Sequence, residues 1–122
     1  MASQRIVCFG ELLLRLSAPR GELLLQSPAL DVCVGGAEAN VAVALARFGH
    51  AVALVSAVPP TSLGAAAVGE LRRHGVDTAA ILERPGRMGL HFLEVGAGQR
   101  PSQIVYDRAA SSFAAAPPET WD

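Results

Sequence analysis

Hydrophobic positions along this 122-residue chain change their period several times, and each change marks an element. Arg5 to Gly10 carries the short apolar run Ile6-Val7-Cys8-Phe9 with β-branched members, which predicts a buried strand. Leu12 to Ser17 continues as extended chain, Pro19-Arg20-Gly21 supplies a turn, and Leu23-Leu24-Leu25 predicts a further strand. From Leu30 to Val34, apolar Leu30, Val32 and Val34 alternate with Asp31 and Cys33, a strand that runs into Gly35-Gly36. Val41, Leu45 and Phe48 then fall at i, i+4 and i+7, the stripe of an amphipathic helix, and Gly49 is its C-terminal stop.

Ala51 to Val58 is an apolar run of strand length ended by Pro59-Pro60. Thr61 or Ser62 is placed to cap a second helix, whose stripe Leu63, Ala67, Leu71 ends at Gly75. Strand, helix, strand, helix at these lengths implies a right-handed parallel α/β unit, with Ile81-Leu82 as a third parallel strand. After that the pattern changes. Met88 to Val95 and Gln103 to Arg108 are strand-like, separated by seven residues that include two glycines and a proline, and read as a hairpin. With the early extended segments it predicts a small β-sheet apart from the parallel one. Alanine-rich 109–116 leads to Pro117-Pro118-Glu119-Thr120, the start of one more helix. There is no internal repeat and no linker.

Composition narrows the class. The chain is 51% hydrophobic and 17% charged, with a formal net charge of −1. That suits a globular domain and gives no electrostatic reason to expect nucleic acid or an anionic membrane as partner. No apolar run approaches the roughly 18 residues that span a bilayer. Met1 to Arg5 leads directly into the first strand without the apolar stretch of a signal peptide, so a cytoplasmic location is expected. Cys8 and Cys33 lie in apolar strand-like surroundings at no metal-binding spacing and are expected to be buried thiols. No histidine–cysteine–carboxylate set suggests a metal site or a nucleophilic triad, and neither Glu11 nor Glu38 has a carboxylate partner at acid–base spacing.

The densest chemistry lies in Gly35-Gly36-Ala37-Glu38-Ala39-Asn40. Two glycines without Cβ atoms let a ligand lie against the backbone, and the helix that follows aims its free N–H groups at the same place. Asn40 adds an amide, donor and acceptor together, on the first turn. Backbone plus amide suits a polyhydroxylated ligand; a close-packed strand-to-helix turn explains the same residues without one. In the hairpin, strand periodicity puts Tyr106 and Arg108 on one face with Asp107 opposite, and His91 on a face with Leu93 and Val95. If the hairpin faces the diglycine, His91, Tyr106 and Arg108 converge on one ligand. Arg108 is the residue best matched to a carboxylate, through a bidentate fork. The alternative for it is a surface ion pair with Asp107 or Glu94.

These motifs together resemble the ribokinase-like carbohydrate kinases. Two glycines, Asn40, Ala42 and a closing Gly49 match the N-terminal signature of that superfamily. Gly-Gly-Ala-Glu-Ala-Asn is similar to the branch of 2-keto-3-deoxygluconate kinases. So are Phe9-Gly10-Glu11 with Leu14-Arg15-Leu16-Ser17, Phe92-Leu93-Glu94-Val95-Gly96, and Gln99-Arg100-Pro101-Ser102 leading to Tyr106-Asp107-Arg108. The resemblance is nearly collinear over the whole chain. It implies an α/β fold: residues 1–122 as the N-terminal portion of a three-layer ribokinase-like domain, a parallel sheet with helices plus a small β-sheet lid at approximately 12–34 and 88–108.

The resemblance also implies the activity. It suggests the sugar-acid-binding part of an ATP-dependent 2-keto-3-deoxygluconate kinase, with Gly35, Gly36, Ala37, Asn40, His91, Tyr106 and Arg108 lining the substrate. In that branch Tyr-x-Arg lines the sugar-acid site. His91 stands where tyrosine is common, so it is either a ligand or a lid histidine without one. Arg15 stands where ribokinases and fructokinases carry a sugar-binding aspartate; it removes an acceptor and adds positive charge, which an acidic substrate tolerates better than a neutral one, though a lid-edge role explains it as well. ATP and Mg belong to the C-terminal half of such kinases, with a Gly-Ala-Gly-Asp motif. Here Gly96-Ala97-Gly98 is followed by Gln99 between two strands and reads as a hairpin turn, so no catalytic or metal residue is expected in this chain and it should be inactive alone. The expected partners are the sugar acid and a second copy through the lid, with no nucleic acid or membrane. The alternatives are another kinase of the superfamily, such as a fructokinase, or a non-catalytic sugar-binding or dimerising module.

Overall fold

The computed structural model describes residues 4–19 and 21–122; Met1 to Ser3, and Arg20 in the middle of the expected turn, lie outside the described residues. The apolar runs assemble into two sheets. The first is parallel, three-stranded and centred on the longest strand, β4 (Ala51–Val58). On one side of it lies β1 (Arg5–Phe9), in register from Arg5 opposite Ala51 to Phe9 opposite Val55. On the other lies β5 (Ile81–Glu83), with Ser56 opposite Ile81 and Val58 opposite Glu83. Asp77 adds a parallel bridge to Ala53 ahead of β5. Helices α1 (Ala37–Arg47) and α2 (Ser62–Arg73) make the crossovers. Thr61 caps α2, its side-chain oxygen accepting from the Gly64 N–H.

The second sheet, termed the lid below, is the small one expected apart from the parallel sheet. Its order is β3-β2-β6-β7, with β2 at Leu13–Ser17, β3 at Asp31–Gly35, β6 at Gly89–Glu94 and β7 at Gln103–Asp107. β2 pairs antiparallel with β3 and parallel with β6, and β6 and β7 form the expected antiparallel hairpin. The hairpin closes through a turn in which the Arg100 N–H donates to Ala97 O and Gly98 has φ +58°, so Gly96-Ala97-Gly98 is a turn in this fold. The chain therefore leaves the parallel sheet after β1, returns through β3 into α1, and leaves again after β5. Among the described residues no helix is long and apolar enough to cross a membrane.

The core lies between the helices and one face of the parallel sheet, with Leu12 and Leu14 from the base of the lid joining it. Leu54, Ala42 and Ala67 are fully buried, and Val52, Val58, Ala39 and Leu71 nearly so. At about 25 cal/mol per Å² of apolar area removed from water, residues such as Leu54 supply most of the stabilising free energy.

Several expectations are corrected. In α1 the buried stripe is Ala39 and Ala42; Leu45 of the expected stripe packs against the core beside Val43 and Ala46, while Val41 is half-exposed and Phe48 lies 80% exposed. Both stripes have a helical period; the small one faces the sheet because alanines let helix and strands approach closely. Leu63 of α2 is likewise half-exposed, whereas Ala67 and Leu71 are buried. β1 is covered on one face only: Val7 and Phe9 point to the face without these helices, where Phe9 meets the rings of Phe113 and Trp121 at 5.6 and 5.0 Å. Leu24–Gln26 is a 3-10 turn instead of a strand. The Gln26 side chain accepts from the Leu23 N–H, and Leu25 is fully exposed, so nothing there rewards extension. Cys8 and Cys33 are free thiols but only half-buried, each on an outer strand of its sheet. Pro118–Trp121 is a short 3-10 helix.

Candidate functional site

The base of the site is made by glycines whose missing side chains other residues occupy. Gly36 has φ +117°, a left-handed-side conformation that favours glycine, and a Cβ there would fall on the carbonyl oxygen of Glu11. A Cβ at Gly10 would fall on the Glu38 carboxylate, and one at Gly89 on that of Glu11. The strand-to-helix turn thus packs tightly against the crossing from β1 to β2. The same turn starts α1 without a side-chain cap for its first N–H groups. Glu38 lies in the first turn, where a negative charge suits the helix dipole.

A cavity of about 470 Å³ opens above this base, between the start of α1 and the lid. Gly36, Ala37 and Asn40 line it from the helix side, and His91, Tyr106 and Arg108 from the lid. The hairpin therefore faces the diglycine, and six of the seven residues expected around the sugar surround one space. Gly35 is the seventh; it is buried in β3 opposite Leu13 and does not line the cavity. Glu11, Leu13 and Glu38 also line it and were not among the expected residues. The readable signal for the two glutamates was the glycines at 10 and 89, whose missing side chains leave room for Glu38 and Glu11.

The lid wall is ordered by register. His91 lies directly opposite Tyr106 and Arg15 opposite His91, so all three stand on one face. The imidazole meets the Tyr106 ring edge-on, with centroids 5.7 Å apart at 88°. The Arg108 guanidinium lies over the same ring, 4.8 Å from its centroid. Asp107 turns to the opposite face, where its carboxylate pairs with Arg87 at 2.9 Å. Arg87 also donates to the Asp107 and Ala109 carbonyls, holding the end of β7. Among the described residues no carboxylate pairs with Arg108, so the surface ion pair weighed from the sequence is absent there. Its fork of donors remains available to a ligand.

Burial, and then the charges of Arg15 and Arg108, push the His91 pKa below its ordinary 6.5, so the ring is neutral at pH 7. Arg15 stands beside His91 but does not line the cavity, and its Nε is buried without a partner among the described residues. It is a lid charge one row away from the site. Asn40 makes its helical backbone bond to Gly36 O at 2.8 Å, and its side chain is exposed to the cavity.

A larger groove of about 670 Å³ runs between α1, α2 and β3, with Asn40 at the border of both spaces. Its walls are mainly Leu, Val and Ala, with Glu70, Arg73 and His74 at the rim, and Glu70 pairs with both of the latter. A polyol needs convergent polar groups that are not already paired, and those are in the smaller cavity.

The chain is similar to known proteins over nearly its whole length. The profile of the pfkB family carbohydrate kinases matches residues 3–121. The crystal structure of 2-dehydro-3-deoxygluconokinase from Thermotoga maritima superposes with a TM-score of 0.91 at 47% identity, covering 97% of this chain and 36% of that one. A 2-dehydro-3-deoxygalactonokinase from Haloferax volcanii is 39% identical over 93% of this chain and 36% of its own length. Fructokinase-1 of Oryza sativa subsp. japonica is 36% identical over 80% of this chain and 31% of its own length. The chain thus spans about a third of the length of the relatives it matches.

Proposed function

This chain belongs to the pfkB family of carbohydrate kinases, and we propose that it forms the sugar-acid-binding N-terminal part of an ATP-dependent 2-keto-3-deoxygluconate kinase. The observation that carries the reading is the Arg108 guanidinium, held over the Tyr106 ring at the cavity wall while its neighbour Asp107 is taken by Arg87. A positive fork with no acidic partner among the described residues, facing hydroxyl-binding groups, suits a substrate with a carboxylate at one end and hydroxyls at the other. The neutral His91 donates or accepts one hydrogen bond between them, and Asn40 with the first N–H groups of α1 takes the hydroxyls.

Phosphoryl transfer depends mostly on positioning and neutralisation of charge. The residues of this chain supply the first for the sugar. Mg·ATP would supply the phosphoryl group and balance its charge. We assign the binding of Mg·ATP to the two thirds of such a kinase that lie outside the part matched here. The outer strand β7, with Ile104, Val105 and Tyr106 all about half-exposed, supports a second copy docking through the lid.

The fructokinase relatives favour a second reading, a neutral ketose in the same cavity. Phosphorylation assays on the full-length protein with 2-keto-3-deoxygluconate, 2-keto-3-deoxygalactonate and fructose separate the two. The sugar acids are expected to have the higher kcat/KM; a preference for fructose overturns the proposal. The 122-residue chain by itself is expected to give no turnover, and rates in the ordinary kinase range of about 1–100 s⁻¹ would contradict the division of labour.

A further inference from the structure

Glu11 stands where the chain segments that pass between the two sheets meet. Its own segment is anchored to the core by the Gly10 N–H donating to Val55 O at 3.2 Å and the Leu12 N–H donating to Ser56 Oγ at 3.1 Å. Its carbonyl oxygen fills the space beside Gly36, where β3 turns into α1. Its Oε2 fills the space beside Gly89, where the chain enters β6, and the Arg108 Cβ lies 3.1 Å from that same point. Finally, Oε2 accepts a hydrogen bond from Ser111 Oγ at 2.7 Å, in the loop that follows β7.

That loop is built to present the serine. Ser111 is 1% exposed, and its oxygen also accepts from the Ala114 N–H. Ala110, just before it, has φ +57° and is the one non-glycine residue with positive φ among the described residues. Strain of this kind persists where surrounding contacts determine the backbone. One residue therefore touches all four crossings between lid and core: its carboxylate meets the entry to β6 and Ser111, and its backbone carbonyl meets the start of α1. The Glu11 carboxylate is half-buried, and the bond from Ser111 compensates for the water it has lost.

We propose that Glu11 is a positioning residue: with Ser111 it clamps the base of the lid and sets the distance between Arg108 and the start of α1, and so the width of the sugar cavity. The clamp rests on the reading of that cavity as the sugar site. It acts through geometry, by length and acceptor, and not through the charge of Glu11, which would repel an anionic substrate.

Four variants of the full-length enzyme test it, read as KM and kcat for the sugar and as melting temperature. Ser111→Ala and Glu11→Ala should each raise KM about tenfold with kcat little changed, as expected when a binding wall moves by a fraction of an ångström, and the double variant should be no worse than Glu11→Ala. Glu11→Gln keeps length and an acceptor oxygen and should hold KM at or below that of the parent, since the charge it removes faces the anionic substrate, whereas Glu11→Asp, one methylene short, should behave like Glu11→Ala. Ser111→Ala, which removes one oxygen, carries the test should Glu11→Ala not fold. A melting temperature that falls with KM unchanged, additive single variants, or a Glu11→Gln variant whose KM rises as far as that of Glu11→Ala would overturn the clamp. If fructose proves to be the substrate, the same pattern in its KM sustains the clamp while the sugar-acid reading fails.

Discussion

Removing the Arg108 guanidinium separates a sugar-acid site from a neutral-sugar site more sharply than any other single change. In the absence of ligand this group is held by its contact with the Tyr106 ring, 4.8 Å from the centroid, and by no carboxylate among the described residues. Such a contact at an exposed position is worth only about 0.5–1 kcal/mol, so Arg108→Ala should cost the fold little. Its loss from the complex is larger. A hydrogen bond to a charged partner contributes about 1.5–3 kcal/mol, and Arg108 and Tyr106 are both exposed enough for water to screen the pair, which argues against counting both arms of the fork in full. At about 1.4 kcal/mol per decade this is roughly a ten- to hundredfold rise in KM for 2-keto-3-deoxygluconate. Arg108→Lys keeps the charge but not the planar fork and should fall between the two. The assay is coupled ATP consumption by the full-length enzyme, with fructose as the uncharged comparison and thermal unfolding as control. Equal losses for the acid and the ketose would refute the reasoning and leave Arg108 a structural role.

Asn40→Asp keeps the side chain's shape, removes its donor and adds a negative charge at the cavity wall; the sugar-acid KM should rise while the melting temperature and the KM for ATP stay nearly unchanged, as kinetics and thermal scans will tell. His91 has a lowered pKa from burial and from the charges of Arg15 and Arg108, and an anionic ligand opposes that shift by stabilising the imidazolium. Binding the acid then takes up a proton, so its affinity should rise as pH falls through and below the ordinary histidine range. A titration from pH 8 to about 5.5 should show this for the acid, not for fructose, and His91→Phe should abolish it. Without ligand the sign for stability is opposite: the unfolded chain takes up the proton first, so His91 lowers stability as pH falls below 6.5. Gly36→Ala meets both a φ of +117° and the Glu11 carbonyl oxygen; urea unfolding should show a loss of at least about 2 kcal/mol, and a neutral result would mean that the turn relaxes freely.

Much of this protein is legible in the order of its residues. The alternation of strand and helix lengths, the Gly49 stop, the Thr61 cap and the hairpin between Met88 and Arg108 are local features, and local features survive into the fold because each rests on backbone chemistry within a few residues. The period of two separated Tyr106 and Arg108 from Asp107, and the structure keeps that separation by giving Asp107 to Arg87. What the sequence could not decide is which of two equally periodic faces turns inward. In α1 the alanines won over Val41 and Phe48 because the sheet admits only small residues at close approach, and that distance exists only once β1 and β4 are paired. Leu23-Leu24-Leu25 had the composition of a strand but enters a 3-10 turn closed by the Leu23 N–H bond to the Gln26 side chain. The same limit hid Glu11. One hundred residues separate it from Ser111, and its contacts with Gly36, Gly89 and Ser111 arise only where the four crossings between the sheets converge.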